Sequence, residues 1–177
     1  MIPRGPVLYL DLARQFGWAE GEPGGEIISG SLALAPAGAS HGAIFANLDG
    51  WLRSRLAGQA YAMLAFEAPF DPRHMRKTNV STIRLLLGLC AIAEAAAARH
   101  RRVVLRECEV RDVRAFLLGR QPAKGRAKIE VMGTLREAGF RPIDDNEADA
   151  LAGLLYCHEV VKPGSTANVL PLLRGRG

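Results

Sequence analysis

Two short apolar runs, each ending in an acid, constrain this chain more than anything else in it. Val7-Leu8-Tyr9-Leu10 leads into Asp11, and Ala60-Tyr61-Ala62-Met63-Leu64-Ala65-Phe66 leads into Glu67. The second run is apolar throughout, has the length of a strand and lies between helical patterns, as a strand covered on both faces does. Strand–helix–strand units favour parallel neighbours with helices on the sheet faces. If the two strands are adjacent and parallel, both carboxylates emerge at one carboxyl edge, where open α/β sheets place their sites.

The remaining segments fit around that pair. Gln15 to Glu22 reads as a second strand, Pro23-Gly24-Gly25 as a turn and Glu26 to Leu34 as a third strand, giving an antiparallel meander. From His41 to Leu56 a helical stripe runs through Ile44, Leu48, Trp51, Leu52 and Leu56, with Ser40 as its cap and Gly58 as its stop. Val80 to Arg99 is the longest helical pattern, Arg102 to Arg106 a fifth strand, and Glu109 to Leu118 and Ala127 to Glu137 are shorter helices. A last helix follows Asp144, and glycine and proline from Pro163 onward predict a flexible tail over 163–177. The expectation is one α/β domain over residues 1–162. Its mixed five-stranded sheet has three antiparallel strands, then two parallel ones, with helices on both faces.

Composition narrows the class further. A chain of 177 residues is long enough for one proper core. Its net charge of +5 favours polyanionic partners. Cys90, Cys108 and Cys157 are odd in number and widely spaced, so they read as buried thiols in a reducing cytosol rather than a disulfide frame or zinc site. The longest uncharged apolar run, Leu85 to Ala93, is too short to cross a bilayer, and no segment has the pattern of a signal peptide. These features predict a soluble intracellular protein with no membrane partner.

The segment Asp144-Asp145-Asn146-Glu147-Ala148-Asp149 supplies a third acid. Asp144 or Asp145 caps the last helix, and Asn146 and Asp149, three apart, emerge on one side of it. Asp149 lies among small residues, where a lone carboxylate is costly unless paired or bound to a cation. Converging with Asp11 and Glu67, it would form a mutually repelling cluster. Magnesium or manganese resolves such repulsion. Two ions about 4 Å apart can clamp the attacking and leaving oxygens of a phosphodiester. Taken singly, each acid reads as a solvated strand end or helix surface. Only the placement of all three beside apolar segments favours a metal.

Leu8-Tyr9-Leu10-Asp11-Leu12, then Gly17-Trp18-Ala19, then Phe66-Glu67, then Asn146-Glu147-Ala148-Asp149-Ala150-Leu151-Ala152 resemble the RuvC-type Holliday junction resolvases of the ribonuclease H-like superfamily, especially phage-like versions. The resemblance runs from Val7 to Val160 and implies a ribonuclease H-like fold. It also implies a magnesium-dependent endodeoxyribonuclease that resolves branched DNA, with manganese able to substitute and two ions per site. By this resemblance Asp11 bridges the ions, Glu67 binds one and Asp149 completes the site. At the fourth position, usually aspartate or histidine, stands Asn146, whose amide can ligate but brings no charge; Asp145 is the reserve ligand. A homodimer formed through the Val80 to Arg99 helix, and the cytoplasm of a bacterial or phage-infected cell, are further implications. Two alternatives remain: a branched-DNA binding protein with little or no cleavage, and a ribonuclease H-like nuclease for flaps or RNA–DNA hybrids.

Arg111, Arg114, Arg120, Lys124, Arg126 and Lys128 fall within eighteen residues, with only Asp112 among the acids. Such a spread suits a phosphate backbone, although it also suits an ordinary solvated face. Lys128 at a helix start opposes the helix dipole, a placement more tolerable where an anion is expected. The resemblance assigns Arg114 and Lys128 to backbone phosphates near the metals. Phe70, in a loop with Arg73, Arg76 and Lys77, either stacks on an unpaired base at a branch or caps the edge of the sheet. The four histidines show no ligand spacing.

Overall fold

The structure is a computed structural model that describes residues 5–69 and 79–170. Strands β1 (Val7–Asp11), β2 (Gln15–Gly21) and β3 (Ile27–Ala33) form the meander. Then come α1 (His41–Gly58), β4 (Met63–Glu67), α2 (Val80–Arg99) and β5 (Val104–Cys108). Helices α3 (Val110–Leu118), α4 (Ala127–Glu137) and α5 (Asp145–Val161) follow. The sheet order is β3-β2-β1-β4-β5, with β1 antiparallel to β2 and parallel to β4, and β4 parallel to β5. This is the mixed sheet that the sequence predicts, three antiparallel strands and then two parallel.

Alternation along the strands divides the core in two. Leu8, Leu10, Leu64 and Phe66 pack with α1 and α2 on one face, through Leu48, Leu52, Leu89 and Ala93 among others. Val7, Tyr9, Met63 and Ala65 pack with α3, α4 and α5 on the other, against Val113, Leu135, Leu151 and Leu155. Helix α5 is buried nearly all round, as an apolar helix caught between a sheet and two other helices must be.

Two glycines let α5 lie so close. A Cβ on Gly153 would run into the ring of Tyr9, and one on Gly17 would run into the backbone of Asn146. Farther along, His158 Nε2 bonds the Gly21 carbonyl at 2.9 Å. The order of these contacts makes α5 run antiparallel to β1, with its amino end at the carboxyl end of that strand. It therefore lies along the sheet face.

Several boundaries differ from the sequence expectation. The first helix continues through Gly58 and is capped at Gln59, and β5 begins two residues later than the Arg102 to Arg106 run. Val104 and Leu105 in that edge strand are 38% and 36% exposed, so hydrophobicity marked it poorly. Trp18 and Trp51 are half-buried against the core and stack beneath the guanidinium of Arg55. The three cysteines are free and buried. Helix α2 is long and apolar enough to cross a bilayer by length and composition alone, although no uncharged run within it is. One side of it packs on α1 and the sheet through Leu85, Leu89, Cys90, Ala93, Ala96 and Ala97. After Pro163 the chain makes a turn that buries Thr166 and Leu170, so the described part of the expected tail is packed.

Candidate active site

The pairing of β1 with β4 sets Leu10 opposite Phe66. The next residues, Asp11 and Glu67, therefore leave the sheet at the same level, on strands about 4.8 Å apart. Alternation puts both on the face that carries Tyr9 and Ala65, the face covered by α5. The amino end of α5 is also at this edge, and its unpaired N–H groups favour negative charge nearby. Register, alternation and the direction of one helix thus bring Asp11, Glu67 and Asp149 together.

The electrostatics register that convergence. Burial, then Asp149, Glu67 and Asp145, push the Asp11 carboxyl up to about 8 against the opposing pull of Lys128. Burial and then Asp149 push Glu67 up to about 7, while Arg114 pulls it down and Glu109 adds to the rise. Asp149 is raised chiefly by burial, with Arg114 and Lys128 opposing and Asp145 adding. Among the described residues, no three His, Cys, Asp or Glu side chains are gathered tightly enough to hold a metal ion as they stand. Asp11 and Glu67 also line a cavity of about 180 Å³ whose other walls include Leu12, Pro69, Leu86 and Cys90.

Asn146 joins the same cluster. With its amide turned so that nitrogen faces the acceptors, it donates to Asp11 Oδ2 at 3.2 Å and to the Gln15 carbonyl at 3.3 Å. Half a turn of the amide would present oxygen instead. Asp145, the reserve ligand, is ion-paired with Lys128, which draws the lysine to the rim of the cluster.

The basic residues separate on inspection. Arg114 and Lys128 act on the carboxylates directly. Arg114 Nε is buried with no hydrogen-bond partner among the described residues. Arg126 turns to Glu130 at 3.6 Å, and Arg120 pairs with the same carboxylate at 2.8 Å. Lys124 is exposed on the loop before α4. Phe70, Arg73, Arg76 and Lys77 lie outside the described residues.

Sequence reasoning passed over three contributors. Glu147 is buried and accepts Ser29 Oγ at 2.6 Å and the Ile143 N–H at 2.8 Å. Gln15 donates to Ser31 at 2.8 Å and lies 3.5 Å from the Asp144 carboxylate that caps α5. Gly17, opposite Asp11 in the β1–β2 pairing, admits the α5 backbone. A signal existed for the first of these, since a cap residue followed three places later by Glu is a helix-start pattern. The other two depend on partners far away in sequence.

Fold and site together define an α/β protein of the ribonuclease H-like type with an acidic cluster at the carboxyl edge of its central strands. Its fold is similar to that of solved Holliday junction resolvase structures. The structure is similar to that of Thermus thermophilus RuvC in complex with a Holliday junction substrate, at 16% identity. That alignment covers 90% of this chain and 96% of that one, with a TM-score of 0.67. A further Thermus thermophilus RuvC structure is 17% identical over 89% of this chain and 96% of its own, with a TM-score of 0.60. The yeast mitochondrial Holliday junction resolvase Ydc2 is 9% identical over 95% and 85% of the two chains, with a TM-score of 0.60. No family model and no curated protein matches the sequence.

Proposed function

We propose that this protein is a divalent-metal-dependent endonuclease that hydrolyses a phosphodiester in branched DNA, with the four-way junction as its preferred substrate. One observation carries the proposal: three partly buried carboxyls converge where two parallel strands end, and burial, then their mutual repulsion, raises Asp11 to about 8. The donor set suits magnesium or manganese, being all oxygen once the Asn146 amide is turned. Asp11, Glu67, Asp149 and the Asn146 amide would hold two ions. Bound there, such ions polarise a phosphoryl oxygen and promote attack by water.

The chain's own residues do the rest. The amino end of α5 steadies the Asp11 carboxylate. Arg114, beside Glu67 and Asp149, and Lys128, at the rim, hold the phosphate beside the acids. Lys124 and Arg126 extend the cationic track. The choice of branched DNA is supported by two of the fold neighbours, one in complex with a Holliday junction substrate and the other a Holliday junction resolvase. On the outward side of α2, Val80 and Leu87 are 78% and 43% exposed, and this supports a homodimer with two cutting sites.

The test is a synthetic four-way junction labelled on each strand, run beside a flap and an RNA–DNA hybrid, with magnesium or with chelator. Paired nicks bearing 5′-phosphates are expected on the junction, and they should vanish with chelator, with Asp11→Asn and with Asp149→Asn. Both variants cutting as fast as the parent would end the metal-cluster mechanism. Tight junction binding without cutting would leave a binding protein, and faster cutting of flap or hybrid would reassign the substrate.

A further inference from the structure

Cys108 closes β5 and Cys157 lies in the second half of α5, 49 positions away, yet their sulfurs are 3.6 Å apart. Both thiols are free, and the two residues are 2% and 0% exposed. Cys90, the third cysteine, packs in the core on the opposite face of the sheet. A disulfide has its sulfurs about 2.05 Å apart, so this pair needs to close by about 1.5 Å to form one.

The surroundings suit a reactive thiol beside its resolving partner. Arg106, two residues before Cys108, shares its side of the strand. The Arg106 guanidinium also lies 5.9 Å from the ring of Tyr156, the chain neighbour of Cys157. The hydrogen bond from Cys157, then Arg106, hold the Cys108 thiol below its ordinary pKa, although burial opposes them. Among the described residues β5 is the last strand of the sheet, with Val104 and Leu105 38% and 36% exposed. An edge of this kind opens locally at low cost, which admits a small oxidant.

The pair is also connected to the acids. Cys108 is the β5 partner of Glu67, and its carbonyl accepts the Ala68 N–H at 2.9 Å. Cys157 follows Asp149 on the same helix by about 12 Å of helical rise. Drawing the sulfurs together therefore shifts the strand beside Glu67 against the helix that carries Asp149.

We propose that Cys108 and Cys157 form a site of reversible oxidation, closed to a disulfide by hydrogen peroxide and reopened by thiols, that ties α5 to β5 and slows cutting. The Cys108 sulfur attacks a peroxide oxygen, so that an S–O bond forms, the O–O bond breaks and one water leaves. The Cys157 sulfur then attacks Cys108, the S–S bond forms, the S–O bond breaks and a second water leaves with the Cys157 proton. Two electrons pass from the sulfurs to the peroxide, and a small thiol in excess returns them. Control of cutting rests on the nuclease reading above; the disulfide does not.

Full-length protein, reduced and freed of reductant, is treated with hydrogen peroxide, alkylated and digested with trypsin. The intact chain is expected to lose the mass of two hydrogen atoms and two of its three free thiols. The tryptic peptide 107–111 should be linked to the peptide carrying Cys157, with Cys90 alkylated and dithiothreitol reversing the change. Thiols that stay unlinked, or a link through Cys90 or between two chains, would overturn the proposal. On a four-way junction with magnesium, the oxidised protein should cut on the order of a hundredfold more slowly, as a misplacement of about 1 Å can cost, and dithiothreitol should restore the rate. Linked protein that cuts at the reduced rate, or a loss that dithiothreitol does not reverse, overturns the control of cutting. Reduced protein that cuts no junction sinks the nuclease reading and that control with it, while the disulfide still stands or falls by its mass.

Discussion

Replacing Gly17 by alanine puts one methyl group where the backbone of α5 already lies. The new Cβ would sit 2.5 Å from the Asn146 carbonyl carbon and 3.1 Å from the Glu147 nitrogen. Carbon atoms rest at about 3.5–4.0 Å, so the first contact is short by about 1 Å. No rotamer change relieves it, since both partners are main chain. Either β2 bows or the start of α5 lifts. Overpacking of this kind costs about 1–3 kcal/mol, and the stiffer unfolded chain returns about 0.4–1 kcal/mol. The net loss of roughly 1 kcal/mol lowers Tm by about 2–4 °C in a domain of this size.

The effect on cutting should be larger than the effect on folding. Gly17 is the β2 partner of Asp11, and Asn146 is the residue pushed, so the lift separates α5 from β1 at the carboxylates. A misplacement of about 1 Å can cost on the order of a hundredfold in rate. Single-turnover cleavage of the junction at saturating magnesium, with melting followed in parallel, reads both quantities. A Gly17→Ala protein with the parental rate and Tm would refute the claim that close approach of this helix assembles the site.

The other outcomes concern stability. Gly50 and Gly133 lie inside α1 and α4 with nothing within 4 Å of an added Cβ, so alanine at each should stabilise by about 0.5–1 kcal/mol in urea denaturation. A loss at either position would contradict the open space around it. His158 is 1% exposed, and since a carbonyl only accepts, its Nε2 must carry the proton given to Gly21. Burial holds its pKa below 6.5 while the Gly21 bond opposes, so below pH 6.5 the unfolded chain gains a proton that the native ring refuses. The stability it contributes is whole above pH 6.5 and falls as pH drops toward the folded value. Below pH 6.5 the parent should lose stability more steeply than His158→Gln, by no more than about 1.4 kcal/mol per pH unit, and parallel curves would refute this.

Particular residues show what could be read early. Asp11 and Glu67 were legible because each closes an apolar run, and a strand's carboxyl end is where such a run stops. Asp149 was legible through its spacing from Asn146 and its small neighbours. The α2 boundaries followed from its unbroken helical period. Three other features were not legible, because nothing local encodes them: the pairing of Lys128 with Asp145, the turn of the Asn146 amide toward Asp11, and the anchoring of Ile143 by Glu147 and Ser29. Ser29 and Glu147 are separated by 118 positions, and no periodicity links them. The shift in β5 has a different cause, since an edge strand more than a third exposed at Val104 and Leu105 carries little hydrophobic signal.

The sequence by itself determined the order of elements and which side of each is apolar, since periods of 2 and 3.6 are properties of a few consecutive residues. It therefore settled the mixed sheet and nominated the acids. Tertiary structure alone decided that β1 and β4 pair with Leu10 opposite Phe66, and that α5 runs antiparallel to β1 along the sheet face. It also decided that bare backbone at Gly17 and Gly153 admits that helix at close range. Those choices turn scattered carboxylates into one cluster. They depend on through-space fit between segments far apart in the chain, and that fit exists only once the chain has closed on itself.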